Sequence, residues 1–319
     1  MPPEFSLQSH PVNVNTISII VPALNEEKSI EETLERCGFP SDKTHKRSHT
    51  IEVIVVDGGS TDATVKVAEK CQAKVVRSAR GRGLQLNAGA AKATGDVLLF
   101  LHADCLLPLG YEEKVVASLN ASGRKRRWWH RSTQAAHVHW GCFQMHIRAP
   151  EFKFRVIERS IAARTRFMWT PYGDQALFMR RTTFQTLNGF KDWPLLEDYE
   201  MVRRLHRFGR PALVCDRVVR PLALPTSSAL RSAPEIQEME MVRVAGPGAA
   251  PAPEAQKWSA VLPASALRSA IEAQEMLVNN MIIMSYHLGV SPFRLAKWYY
   301  NRSNTPGLWR FLLRGKWNS

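Results

Sequence analysis

No stretch of this sequence reaches 18 clean apolar residues, so no transmembrane helix is expected from it. The nearest candidate, Met276–Val290, is interrupted by Asn279 and Asn280 and reads as a buried or interfacial helix. Met1–Asn15 has no basic stretch followed by an apolar run, so no secretory signal is expected. No CxxC pair occurs among the five dispersed cysteines, Cys37, Cys71, Cys105, Cys142 and Cys215, which argues against a zinc or redox motif. An odd number of scattered thiols fits a reducing compartment. A cytoplasmic protein is expected, with peripheral contact at a membrane surface left open. Pro22-Ala23-Leu24-Asn25-Glu26 stands where a dinucleotide fold needs GxGxxG, so a nicotinamide enzyme is not expected. The glycine- and arginine-rich segment 79–89 lacks the GKS/T ending of a P-loop.

Acid is scarce beside base. The 319 residues carry 43 Lys and Arg against 29 Asp and Glu, a formal net charge of +14. Such a surplus favours anionic partners: nucleic acid, anionic lipid or phosphorylated substrates. Part of it is local, with Arg124, Lys125, Arg126, Arg127 and Arg131 crowded around Trp128 and Trp129. A charge run of this kind is more often a solvated face than a binding site. At 45% hydrophobic residues the chain can bury a sizeable core.

The first hundred residues alternate between apolar runs and helical patterns. Ile17–Pro22, Ile51–Asp57, Ala73–Ser78 and Asp96–His102 read as strands. Glu26–Cys37, with Asn25 as its N-cap, the stretch ending at Cys71, and Leu84–Ala93 read as helices. Continuous apolar strands joined by helices imply a parallel sheet covered on both faces. Ligands of such sheets bind beyond the C-terminal strand ends, and Asn25, Glu26, Asp57, His102 and Asp104 all fall there. Further on, Trp140–Arg148, Ala176–Arg180 and Pro211–Val219 read as strands. Tyr111–Leu119, Glu151–Arg166, Thr182–Leu187 and Leu196–Phe208 read as helices.

Several residues carry candidate chemistry, each with a plainer alternative. Asp57 can accept from a nucleobase or a ribose, or it can cap the next helix, a task open also to Ser60 and Asp62. Leu101-His102-Ala103-Asp104 suits a divalent ion bridging a diphosphate, because hard ions take few protein oxygens. His102 tolerates Mn²⁺ better than Mg²⁺, and a lone histidine is more often structural. Arg80-Gly81-Arg82-Gly83 ahead of a helix favours phosphate, or is a solvated basic loop. Glu197, Asp198 and Glu200 open a helix, where the dipole alone favours acids. One of them could instead deprotonate an acceptor hydroxyl. Tyr172-Gly173-Asp174-Gln175, near Phe167 and Trp169, is a second polar cluster suited to a sugar or to the core.

Five motifs then occur in order: ISIIVPALNEE (17–27), IEVIVVDGGSTDAT (51–64), GRGLQLNAGAAKATGDVLLFLHAD (81–104), PYGDQALFMRR (171–181) and GFKDWPLLEDYEMVRRL (189–205). Together they resemble the family 2 glycosyltransferases, in particular a short, soluble subfamily related to dolichol-phosphate sugar synthases. The resemblance covers about 16–220 and resumes at YHLGVSPFRLAKWYY (286–300). It implies an α/β fold of GT-A type, with a mostly parallel nucleotide-binding sheet continuing into an acceptor-binding half. It also implies an inverting transfer from a UDP- or GDP-sugar with a divalent cofactor, Mn²⁺ or Mg²⁺. Pro22, Glu26, Asp57, Arg82 and Asn87 would meet the donor nucleotide. Asp104 stands where the family's DxD motif places its metal-binding acid, and His102 replaces the first acid of that motif. Asp198 would be the general base with Glu197 beside it. Tyr172, Gly173, Asp174 and Gln175 would meet the sugar or acceptor. The acceptor is unknown, a lipid phosphate being one candidate.

The expected organisation is a tail (1–15), a catalytic domain (16–222) split into donor (16–106) and acceptor (107–222) halves, a low-complexity segment (223–264) and a C-terminal helical segment (265–319). Ser228–Met239 (SALRSAPEIQEM) and Ser265–Met276 (SALRSAIEAQEM) differ at only two positions, a near-duplicate. It stands where the family has an Arg-Arg-Trp segment. That departure keeps open a catalytically impaired nucleotide-sugar-binding protein. Binding of anionic membrane or nucleic acid through 124–131 is a third reading, with nucleic acid the less favoured.

Overall fold

The computed structural model of the chain describes residues 14–38, 48–121, 138–150 and 152–221. The basic run Arg124–Arg131, most of the N-terminal tail, and both copies of the near-duplicate lie outside the described residues, as does the C-terminal helical segment. Two compact units are distinguished by contact: Met1–Asp192 with Glu197–Pro221, and Trp193–Leu196 with Leu222–Ser319. The first holds every element described below.

Its order is β1 (Thr16–Ala23), α1 (Ile30–Cys37), β2 (Thr50–Asp57), α2 (Thr64–Lys70), β3 (Lys74–Arg77), α3 (Arg82–Lys92), β4 (Val97–Phe100) and α4 (Tyr111–Asn120). Then come β5 (Trp140–Arg148), α5 (Phe152–Met168), β6 (Leu177–Arg180), α6 (Arg181–Thr186), α7 (Glu197–Leu205) and β7 (Ala212–Pro221). The strands form one seven-stranded sheet in the order β3-β2-β1-β4-β6-β5-β7. β1, β2, β3 and β4 pair in parallel, as do β5 and β7. β6 runs antiparallel to both β4 and β5. The sheet is therefore α/β and mostly parallel, as expected.

The apolar runs have a direct cause. Alternate residues of a strand face opposite sides, and here both sides are covered. Ile17, Ile19, Val21, Val53, Val55 and Leu99 join one core, packed with Ile30, Leu34 and Tyr111. Ile20, Ile54, Val56, Leu98 and Phe100 join a second core, packed with Leu86, Phe184 and Met201. Polar residues are squeezed out of both faces, so the polar ends of the strands are where chemistry can collect.

One helix start differs from expectation. α1 begins at Ile30, not at Glu26. Asn25 takes a left-handed backbone, φ 58°. Its side chain accepts from Thr61 N–H at 2.8 Å instead of capping its own helix. Ser60 Oγ accepts from Asn25 N–H, and Thr64 Oγ1 from Glu26 N–H. The loops after β1 and β2 are thereby laced together. Gln85 of α3 ties the same strand ends from the other face, donating to the carbonyls of Ala23 and Val56, each at 2.9 Å.

Candidate functional site

The β2 end delivers Asp57. It is buried, and it accepts from Gly59 N–H (3.2 Å) and Ser60 N–H (2.9 Å). The carboxylate thus shapes the glycine turn that follows. Asp62 shares the capping work, accepting from Thr64 N–H at 3.0 Å. The capping alternative weighed for this stretch is thus shared between Asp57 and Asp62. Pro22 is the penultimate residue of β1, paired with Val56 and half-buried. Glu26 lies just beyond, its carboxylate accepting from Ser29 Oγ at 2.8 Å and its pKa raised by burial.

The β4 end delivers His102 and Asp104. The segment is fixed from behind by Thr33 of α1, whose Oγ1 donates to Ala103 O at 2.7 Å. Leu106 forms a two-bond bridge with Val219 of β7. That bridge sets Arg220, the next residue, beside the acids. Arg220 Nε lies 3.3 Å from Asp104 Oδ2, and another of its nitrogens 3.9 Å from Asp174 Oδ2. The guanidinium is the largest influence lowering the pKa of Asp104, against the upward push of burial. Asp174 goes the other way. Burial raises its pKa, Arg220 and Arg164 offset that only in part, and its Oδ1 is buried without a hydrogen-bond partner.

His102 is pushed down to about 4, first by burial and then by Arg82, with Arg220 adding to it. Its ring is therefore neutral at pH 7 and can offer a lone pair. The donor atoms of His102, Asp104 and Cys105 lie within 4.8 Å of one another. Burial holds the Cys105 thiol well above its ordinary pKa, so it stays protonated.

α7 delivers Glu197 and Asp198. Asp198 Oδ2 accepts from Gly173 N–H at 2.7 Å and Oδ1 from Tyr199 N–H at 2.6 Å. A Cβ on Gly173 would sit 3.0 Å from His102 Nε2 and 3.1 Å from Asp198 Oδ2. A side chain at 173 would therefore crowd both groups. Glu197 is 2% exposed and forms an ion pair at 3.2 Å with Arg82, which is half exposed. Burial raises the Glu197 pKa and Arg82 opposes it.

Residues 18–134 match the family model described as Glycosyl transferase family 2. Over that stretch the chain is similar to the family 2 glycosyltransferases. A dolichyl-phosphate beta-glucosyltransferase of Drosophila melanogaster is 39% identical over 99 residues, 28% of this chain and 30% of that one. The enzyme of the same name from Homo sapiens is 35% identical over 115 residues, 33% of this chain and 36% of that one. An undecaprenyl-phosphate 4-deoxy-4-formamido-L-arabinose transferase of Pseudomonas fluorescens is 25% identical over 202 residues, 54% of this chain and 57% of that one. The chain thus spans between about a third and somewhat over half of these curated relatives. Among solved structures, S. aureus TarS is 19% identical with a TM-score of 0.49, over 74% of this chain and 40% of that chain. That likeness is too loose to speak to ligand or chemistry.

Two candidates named from the sequence are hydrogen-bonded into the fold. Asn87 donates to Phe190 O and accepts from Phe190 N–H, at 2.9 and 2.8 Å. It pins the turn ahead of α7. Gln175 is 1% exposed, donates to Phe143 O at 3.1 Å and accepts from Thr165 Oγ1 and Tyr172 N–H. Its amide orders the 172–175 turn from inside, so the sugar-facing role expected of it does not fit. Tyr172 is stacked under Arg164, 3.3 Å from its ring centroid, and its hydroxyl is pushed up to about 12, mainly by burial. Two residues of the site escaped the sequence reading. Cys105, one position past the end of the 81–104 motif, was counted only among the dispersed cysteines. Arg220 had no local signal, because only the Leu106–Val219 bridge brings it to Asp104.

Proposed function

We propose that this domain transfers a sugar from a nucleotide sugar to an acceptor hydroxyl, by inverting single displacement with a divalent cation. The observation that carries this reading is the convergence of His102, Gly173 and Asp198 next to the Asp104–Arg220–Asp174 cluster, at the end of the sheet where Asp57 also stands.

The residues fit the cation. A neutral imidazole, a carboxylate held ionised by Arg220 and a buried, unpartnered carboxylate oxygen on Asp174 form a mixed nitrogen and oxygen set. Such a set suits Mn²⁺ better than Mg²⁺. His102 and Asp104 would hold the ion, which would offset negative charge on the departing diphosphate. Cys105, protonated, is a poor partner for a hard ion. Asp57, together with Pro22 and Glu26, would border the base and ribose. Arg82 offers an exposed guanidinium face for phosphate, its other side aligned by Glu197. Glu197 thus acts through Arg82, as a positioning residue.

Asp198 is the proposed base. Two backbone N–H groups fix its plane, and each oxygen keeps a further lone pair. It can receive the acceptor proton as the hydroxyl attacks the anomeric carbon from the side opposite the diphosphate. Gly173, and Asp174 and Tyr172 on either side, would border the sugar. Lipid-phosphate substrates appear in the names of the relatives, which makes a polyprenyl phosphate a candidate acceptor.

A thermal-shift screen of UDP- and GDP-sugars with and without Mn²⁺ tests the donor half. Binding to the folded state raises the melting temperature by mass action. A shift that needs both nucleotide sugar and Mn²⁺ is expected. No shift with any nucleotide sugar would overturn the reading.

A further inference from the structure

Among the described residues, four of the five large hydrophobic side chains that stand exposed lie on one helix, α5: Phe152 (72%), Val156 (50%), Phe167 (76%) and Met168 (62%). On a helix of 3.6 residues per turn, Phe152, Val156, Arg159, Ala163, Arg166 and Phe167 fall within one stripe about 100° wide. All six are exposed. The opposite side holds Phe154, Ile161 and Thr165, which are buried. α5 is therefore apolar on both sides, with arginine as the only charge on the outer stripe. The one acid among its described residues, Glu158, is taken up by Arg155, His146 and Ile147 N–H.

We propose that this outer face of α5 docks on an anionic lipid surface. An amphipathic helix with bulky apolar residues and arginines on its outer face suits the boundary between headgroups and acyl chains. A second copy of the same face would bring arginine against arginine. Of the segments beyond Pro221, 265–319 has seven Lys and Arg against two Glu and offers no charge complement, and 222–264, with four Glu against three Lys and Arg, is close to neutral. A negatively charged membrane matches both the apolar and the cationic parts.

The same helix reaches the site from its inner side. Arg164 stacks on Tyr172 and donates to Thr170 O at 3.0 Å, and Thr165 Oγ1 donates to Gln175 Oε1 at 3.2 Å. The turn so held carries Gly173 and Asp174. Docking through α5 would hold that turn near the lipid boundary, where a lipid-borne acceptor is found. The lipid contact itself does not depend on the transfer reaction, and it is distinct from the basic run at 124–131.

The test is flotation of the full chain, without donor or acceptor, on vesicles of phosphatidylcholine alone and with about 30 mol% phosphatidylserine. Binding is expected on the anionic vesicles, weaker on the neutral ones and falling with added salt. Phe152→Ser with Phe167→Ser should lower partitioning about tenfold or more. Arg159→Gln with Arg166→Gln should remove most of the preference for phosphatidylserine. All four sites are exposed, so unchanged melting temperature and far-ultraviolet circular dichroism are expected; Phe152→Ser alone, losing several-fold, serves if the pair fails to fold. Wild-type protein that ignores anionic vesicles would overturn the proposal. So would variants that bind like wild type, which would place the contact elsewhere, or a wild-type dimer that Phe152→Ser with Phe167→Ser dissociates. Because no transfer is measured, loss of glycosyltransferase activity would leave this result untouched, and the reverse holds too.

Discussion

Asp198 and Gly173, 25 residues apart in sequence, are joined by a 2.7 Å hydrogen bond from the glycine N–H to carboxylate Oδ2. The bond aims the proposed base. Asp198→Asn keeps one carbonyl oxygen for this donor while removing the basic group. Turnover is expected to fall roughly 10²–10⁴-fold, with donor affinity little changed and a melting temperature lowered modestly, because the amide NH2 cannot accept from Tyr199 N–H. A transfer assay beside a thermal melt checks this, and undiminished turnover would remove Asp198 from the mechanism.

Gly173→Ala adds a single methyl group that would press on His102 Nε2 and Asp198 Oδ2 at about 3 Å. The backbone at 173 is not left-handed, so the penalty is local crowding, not strain of the chain. Displacing groups by a fraction of an ångström is expected to cost about tenfold or more in kcat. Nucleotide affinity, which depends on residues at the β1 and β2 ends, should stay within a few-fold. Steady-state kinetics with separate donor-binding measurements would show the split.

Glu197→Gln tests the positioning of Arg82. The pair is half in water, because Arg82 is half exposed. A stability loss of about 1–2 kcal/mol is expected, in the lower range for hydrogen bonds to charged groups. Donor KM should rise more than kcat falls. A kcat loss as large as that of Asp198→Asn would instead place Glu197 in proton transfer.

His102 gives a pH dependence with a definite sign. Its folded pKa, about 4, lies below the ordinary 6.5. The unfolded chain therefore takes up the proton first as pH falls. The stabilising contribution is complete above pH 6.5, is lost progressively between 6.5 and 4, and falls no further below that. His102→Asn should flatten this part of the stability curve. Urea denaturation from pH 4 to 7.5 is the measurement; parallel curves for wild type and variant would contradict the assignment.

Arg220→Gln removes the cation between Asp104 and Asp174. Without metal the two carboxylates then face each other with less compensation, and the melting temperature should drop. With Mn²⁺ the loss should be partly restored, because the ion no longer competes with the guanidinium. The increment in melting temperature on adding Mn²⁺ is expected to be larger than in wild type. An unchanged increment would show that Arg220 and the cation do not share a site.

Much of the donor half was legible because both sheet faces are covered. IEVIVVD and DVLLFLH can be read as buried strands by composition alone, and their polar ends are then forced to the ligand side. Asp57, His102 and Asp104 followed from that. Asn25 was misread as a cap because a left-handed asparagine that bonds across to Thr61 looks, locally, like one that caps its own helix. Asn87 and Gln175 show the same limit: a polar residue beside a motif can be named from the sequence, but its backbone partners, Phe190 and Phe143, are given only by the fold.

By itself the sequence determined the strand and helix periods, the end of the sheet that carries the acids, and the resemblance to family 2 glycosyltransferases. These depend on neighbours close along the chain or on motif order. Tertiary structure alone decided how the acids are used. Pairing of β7 with β5 and its bridge to Leu106 set Arg220 between Asp104 and Asp174, across more than 100 residues of chain for the first and more than 40 for the second. The bond from Gly173 to Asp198, the pairing of Arg82 with Glu197 and the outward face of α5 were decided in the same way. Charge and burial act through space, and sequence spacing does not record which distant carboxylate will meet which guanidinium.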